Sequence, residues 1–138
     1  MIEKATTGDL EQVYLLGTLY DDNFCNHYHL DNYINNDTFF INVYKEDNSI
    51  VGFIIGTKVI DTIEIELIYV KEEYRRRNIA VALFKSLGYQ DVVRILLEVS
   101  IQNIPAIRLY EKMGFIVINT RKKYYNGVDA LVMEKVIK

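Results

Sequence analysis

Residues 96–115, "LLEVSIQNIPAIRLYEKMGF", read as a strand that turns into a helix and stops. The apolar run "VVRILLEVS" (92–100) is almost continuous in Val, Ile and Leu, the pattern of a strand covered on both sheet faces. One carboxylate, Glu98, interrupts it. A carboxylate inside an apolar strand is costly unless it is paired or does chemistry, so Glu98 is either a satisfied core group or a functional one. After the strand, Asn103 can cap a helix, and Pro105 falls in the first turn, where a missing N–H costs nothing. Gly114 follows the last turn, at the position where a left-handed residue ends a helix. Tyr110, three residues after Ile107, has the spacing of a core tyrosine.

The rest of the chain extends this pattern in both directions. "MIEKA" suits a short strand, and Thr7 can cap a helix that starts near Asp9 and carries Leu10, Val13, Leu16 and Tyr20. A second short helix is expected around Tyr28–Ile34. "TFFINVY" and "SIVGFIIGTKVI" read as strands joined by the turn-rich "KEDNS". "TIEIELIYV" alternates strictly, with Ile63, Ile65, Leu67 and Tyr69 on one face and Glu64, Glu66, Ile68 and Val70 on the other. A helix follows from near Asn78, with Ile79, Leu83 and Leu87 every four residues. "FIVINTRKKYY" and "DALVMEKVI" close the chain around "NG", a hairpin signal. The predicted order, β-α-α-β-β-β-α-β-α-β-β, is a mixed α/β domain whose sheet is antiparallel at both ends.

Composition narrows the function. The chain has 138 residues, half of them hydrophobic and a quarter charged, which fits one globular domain over residues 1–138. A net charge of −3 does not point to nucleic acid or an anionic membrane, so any anion site must be local. The longest apolar run, "IVGFIIG", is too short to span a bilayer, and the polar N-terminus is no signal peptide. The lone Cys25 fits a reducing, cytoplasmic setting; it has no nearby Lys or Arg to activate it, and its spacing to His27 and His29 matches no standard zinc pattern, so no metal is expected.

The local anion site is "EEYRRRNIAVALF" (72–84), where Arg75, Arg76 and Arg77 crowd against the start of a helix. A helix N-terminus offers unpaired N–H groups and a partial positive charge, and arginine adds fork-shaped donors for phosphate. Small Ala80 and Ala82 allow close approach. A solvated basic loop balanced by Glu72 and Glu73 is the other reading of the same residues.

These segments resemble the GCN5-related N-acetyltransferase (GNAT) superfamily. "RRRNIA" is similar to its acyl-CoA loop Q/R-x-x-G-x-G/A, with Arg75 first, Ala80 last and Asn78 in place of the first glycine. Asn is the non-glycine residue that best tolerates φ > 0. "LLEVSIQNIPAIRLYEKMGF" and "TRKKYYNGVDALVM" resemble the corresponding stretches of the RimI-type protein N-terminal acetyltransferases. The resemblance implies the acyl-CoA N-acyltransferase fold, a central mixed, mostly antiparallel sheet with helices on both faces.

It also implies a site. Acetyl-CoA would lie where the fourth and fifth strands part, its pantetheine on Ile68, Tyr69 and Val70, and its pyrophosphate on Arg76, Arg77, Asn78, Ile79, Ala80 and Val81. Asn103 would contact the cofactor, Glu98 would be the general base and Tyr110 the general acid. Glu64 and Glu66 are rival carboxylates for the base. Tyr124 and Tyr125 match residues that line a peptide groove. The implied partners are acetyl-CoA and a protein N-terminus or a small amine, with no nucleic acid and no membrane, and the protein a monomer or homodimer. "LYDDNFCNHYHLDNYI" lacks the subfamily's aromatic-proline pattern, which keeps a small amine or antibiotic in play as the acceptor.

Overall fold

A computed structural model describes every residue except Asn126, and the side chains of all but residues 123–126. Its strands are β1 (Ile2–Lys4), β2 (Phe39–Glu46), β3 (Ser49–Val59), β4 (Thr62–Val70), β5 (Arg94–Ser100), β6 (Ile116–Tyr125) and β7 (Val128–Val136). The helices are α1 (Leu10–Tyr20), α2 (Phe24–His27), α3 (Asp31–Ile34), α4 (Ile79–Lys85) and α5 (Ile104–Lys112). Strand order is β1-β2-β3-β4-β5-β7-β6. The β1–β2, β2–β3, β5–β7 and β6–β7 pairs are antiparallel, and β4–β5 is parallel. The chain divides into two compact units, Met1–Lys58 with Leu67–Gly88, and Val59–Glu66 with Tyr89–Lys138.

The first unit is built around aromatic rings. Phe24 is fully buried, stacked on Tyr28 at 4.7 Å and edge-on to Phe53 at 5.9 Å and Tyr14 at 6.0 Å. Gly17 makes room for it: a Cβ there would come within 2.6 Å of the Phe24 ring. Val13, Leu16, Leu30, Ile41, Val43, Ile55 and Leu67 complete this core. The cap at the start of α1 differs from expectation. Asp9, not Thr7, is the N-cap residue of α1, and its Oδ2 accepts from the Thr6 N–H and hydroxyl at 2.8 and 3.1 Å. The turn Thr7–Asp9 is a 3₁₀ turn leading into α1. The short helix expected at Tyr28–Ile34 is confined to α3, Asp31–Ile34, and a further short helix, α2, precedes it at Phe24–His27.

Two hairpin turns in the chain contrast. Asp47 and Asn48 both have positive φ, 50° and 67°, the geometry a two-residue type I′ turn requires and Asp and Asn tolerate. The β3–β4 turn instead places Ile60 at φ 58°, where glycine is usual. Its β-branched side chain made it read as the last residue of a strand; it is a turn residue, 88% exposed.

In the second unit Ile63, Ile65, Ile95, Leu97, Val99, Tyr110, Phe115, Ala130 and Met133 are buried. The parallel ladder joins Thr62–Ile65 to Arg94–Leu97, and β7 carries the pairing of β5 on to Ser100↔Ala130. Asn103 caps α5 by accepting from Ala106 N–H at 3.4 Å, Pro105 lies in its first turn, and Gly114 at φ 97° follows it. The "NG" turn of the β6–β7 hairpin includes Asn126 and lies outside the described residues; Gly127 has φ 82°.

Candidate functional site

The arginine segment folds as a 3₁₀ turn, Glu72–Tyr74, then a loop into α4. Asn78 is the left-handed N-cap of α4, with φ 61° and ψ 21°, so it adopts the backbone that a glycine would take. Arg76 is also at positive φ, 67°, whereas Arg77 between them is not. Alternation of this kind turns successive N–H groups toward one point, the arrangement of an anion-binding nest. From Asn78 to Val81, four consecutive N–H groups find no main-chain acceptor among the described residues. Unpaired main-chain donors in such a run fit an anionic ligand with several oxygens, such as a diphosphate.

The arginine side chains are deployed less uniformly than the sequence suggests. Arg75 turns back, its Nε donating to Val70 O at 2.9 Å and its guanidinium lying 5.4 Å from the Tyr69 ring. Arg77 lies 3.8 Å from Glu46 and over the Tyr74 ring. Two of the three guanidinium groups are thus engaged with the protein's own atoms. Gly52 on β3 seats α4: a Cβ there would meet Tyr69 O at 3.3 Å and Ile79 Cγ2 at 3.4 Å.

At the end of β4, Lys71 N–H donates to Val51 O of β3 at 2.8 Å. Because main-chain polar groups alternate sides along a strand, Tyr69 also faces β3, and the N–H and C=O of Ile68 and Val70 point away from it. With Val70 O already accepting from Arg75 Nε, this edge offers a ligand amide the N–H and C=O of Ile68 and the N–H of Val70. Tyr69 contributes its ring, which packs against Tyr20, Phe53 and Arg75.

The second unit holds the carboxylate. Glu98 lies on β5 opposite Val132, its side chain 23% exposed. Its Oε1 is 2.9 Å from Arg121 Nε on β6. Its Oε2 is buried and has no hydrogen-bond partner among the described residues. A buried carboxylate oxygen without a donor costs about 1–3 kcal/mol or more, and such atoms call for a ligand or a chemical role. Tyr110 on α5 is buried, its ring 5.9 Å from that of Phe115. Asn103 spends its Oδ1 on the helix cap. Glu64 and Glu66 are both exposed on β4, unlike Glu98. Tyr124 and Tyr125 have side chains outside the described residues. Among the described residues no group of three or more His, Cys, Asp or Glu is placed to hold a metal. Cys25 is exposed, and His27 is paired to Asp21 at 2.7 Å.

Arg121 was not singled out from the sequence. It sits in an exposed, mixed strand, and only the pairing of β6, β7 and β5 brings it to Glu98. The available signal was weak: two strands later, a cation stands in register to share a face with a lone carboxylate.

A family model for the acetyltransferase (GNAT) domain matches residues 6–137, and the chain belongs to that family. It is similar to a putative ribosomal protein bS18-alanine N-acetyltransferase of Bacillus subtilis (strain 168), 37% identical over 97 residues, 66% of this chain and 64% of the relative. An N-alpha-acetyltransferase of Saccharolobus solfataricus is 36% identical over 107 residues, 64% of each chain. The chain thus spans just under two thirds of the length of these relatives. The crystal structure of the ribosomal-protein-S18-alanine N-acetyltransferase from Escherichia coli has the same fold, with a TM-score of 0.84, 24% identity, and coverage of 100% of this chain and 94% of that one. Among the described residues no helix is long and apolar enough to cross a membrane.

Proposed function

We propose that the chain is an acetyl-CoA-dependent N-acetyltransferase acting on the N-terminal α-amine of a protein, with residues 1–138 serving as one N-acetyltransferase domain. The observation that carries this reading is the run of four N–H donors from Asn78 to Val81 without a main-chain acceptor among the described residues, in a chain of the GNAT family. These donors fit the diphosphate of acetyl-CoA, and the strand edge at Ile68 and Val70 fits its amide-bearing arm. When bound, acetyl-CoA supplies an activated acyl carbon and a thiol leaving group.

The amine must be neutral to attack. An α-amine has a pKa of about 7.7–8.0, against about 10.4 for lysine. Near pH 7 the α-amine thus needs about one unit of help, or about 1.4 kcal/mol, and lysine about three times as much. One carboxylate suffices for the former. Glu98, whose buried Oε2 has no donor among the described residues, is the proposed base for that proton, directly or through a water. Tyr110 is the proposed proton donor to the departing thiolate, and Asn103 a cofactor contact through its amide nitrogen. The net change converts an ammonium and a thioester into an amide, a thiol and one released proton.

The relatives' names supply the acceptor: alanine-starting ribosomal protein in one, N-terminal amines in the other. A short peptide beginning with Ala should therefore be acetylated when its N-terminus is free, and not when it is blocked, regardless of lysine content. Mass spectrometry reads the product. Glu98→Gln should slow turnover about 10²–10⁴-fold. Acetyl-CoA binding with no turnover on any amine would sink the enzymatic reading.

One observation favours a second acceptor class. The segment from Asp21 to Tyr44 carries Asp21, Asp22, Asp31 and Asp37 and no Lys or Arg, which suits a cationic small amine. Turnover of polyamines with none of peptides would select that alternative.

A further inference from the structure

We infer that Arg121 is a positioning residue for acetyl transfer, acting through Glu98; this rests on the proposed function. The two side chains come from strands that are not neighbours. Register places Arg121 opposite Ala130 and Ala130 opposite Ser100, while Glu98 lies opposite Val132. Arg121 and Glu98 therefore share one face, one diagonal step apart, with β7 between them. Crossing two strand spacings, roughly 9–10 Å, takes a long side chain on at least one partner. Arginine has that reach, and Ala130 beneath it is small.

The contact is selective. Arg121 Nε binds Oε1 of Glu98 at 2.9 Å and leaves Oε2 buried without a donor among the described residues. A free carboxylate on a half-buried strand position rotates and can turn both oxygens toward water. Held at Oε1 by a charge-assisted bond, it presents Oε2 in one direction only. That orientation matters when a proton passes from the acceptor's ammonium to Oε2, since catalytic groups misplaced by about 1 Å can lose about 100-fold in rate. The first proton moves from nitrogen to Oε2 and the nitrogen lone pair forms the C–N bond. The C–S bond then breaks as Tyr110 protonates the departing sulfur and regains a proton from the nitrogen, and the proton on Glu98 leaves to solvent.

The other cation of this strand offers a control. Lys122 points to Asp129 at 3.4 Å and is largely exposed, so its loss removes a charge from β6 without touching Glu98.

The test is a double-mutant cycle on an Ala-starting peptide with acetyl-CoA, measuring kcat, both KM values and acetyl-CoA binding by calorimetry. Arg121→Ala should lower kcat about 10–100-fold with acetyl-CoA affinity unchanged. Arg121→Lys should recover part of it, and Lys122→Ala should match the parent. Because Arg121 acts through Glu98, Arg121→Ala combined with Glu98→Gln should be no slower than Glu98→Gln alone. An undiminished kcat in Arg121→Ala, or additive losses in the double variant, overturns the proposal. No turnover by the parent protein instead overturns the function on which the proposal rests, so the two failures are distinct.

Discussion

Asn78 shows how one residue sets the chemistry of a loop. Its αL backbone, with Arg76 two residues earlier at the same sign of φ, aims main-chain donors outward. Asparagine holds this conformation at modest cost, whereas a β-branched residue pays about 1–2 kcal/mol there. Asn78→Gly should therefore bind acetyl-CoA at least as tightly as the parent, and Asn78→Val about tenfold more weakly, with calorimetry as the measurement. Equal affinity in the Val variant would show that the left-handed geometry is irrelevant to the ligand. Glu98 makes a related point: what sets it apart from Glu64 and Glu66 is burial, since those two are exposed on their strand.

At the scale of elements, two local conflicts were resolved by tertiary packing. Gly17 sits inside α1, where glycine weakens a helix by about 1 kcal/mol relative to alanine. Here alanine is nevertheless expected to destabilise, because its Cβ would lie 2.6 Å from three ring atoms of buried Phe24. Overpacking of this kind costs about 1–3 kcal/mol, so Gly17→Ala should lower the denaturant midpoint despite its better helix propensity. A rise in the midpoint would mean that Phe24 relaxes freely. Ile60 is the opposite case, a strained and exposed turn residue that buries nothing. Ile60→Asn or Ile60→Gly should add about 1 kcal/mol in urea unfolding, the strain that a β-branched residue carries at positive φ.

For the whole molecule, pH acts on the N-terminal anchor. Burial raises the proton affinity of Asp9, but Thr6 N–H, Lys45 and the Thr6 hydroxyl outweigh it and hold the carboxyl below its usual 3.8. Lys45 Nζ lies 3.0 Å from Asp9 and also pairs with Glu3, tying β1 and the start of α1 to β2. A carboxyl depressed in the folded state stabilises above its unfolded pKa, about 3.9, and that stabilisation is lost as pH falls through the folded value. Asp9→Asn should thus lower stability at pH 7 and narrow the gap to the parent protein below pH 3. Chemical denaturation at the two pH values checks the sign, and a gap that widens in acid would refute it.

The sequence by itself determined the strands, their order and helices α1, α4 and α5, because strand alternation, the Asn103–Pro105 start and the Gly114 stop of α5 are local facts of backbone and burial; it did not show α2. It also located Glu98, since one carboxylate in an apolar strand stands out, and the left-handed turn at Asn78. Tertiary structure alone decided what surrounds them. That Arg75 is spent on Val70 O, that Tyr69 turns its main chain toward β3, and that Arg121 reaches Glu98 across β7 all depend on which strands lie side by side. Local preferences act over a few residues, whereas strand register couples positions tens of residues apart through hydrogen bonds the sequence does not display.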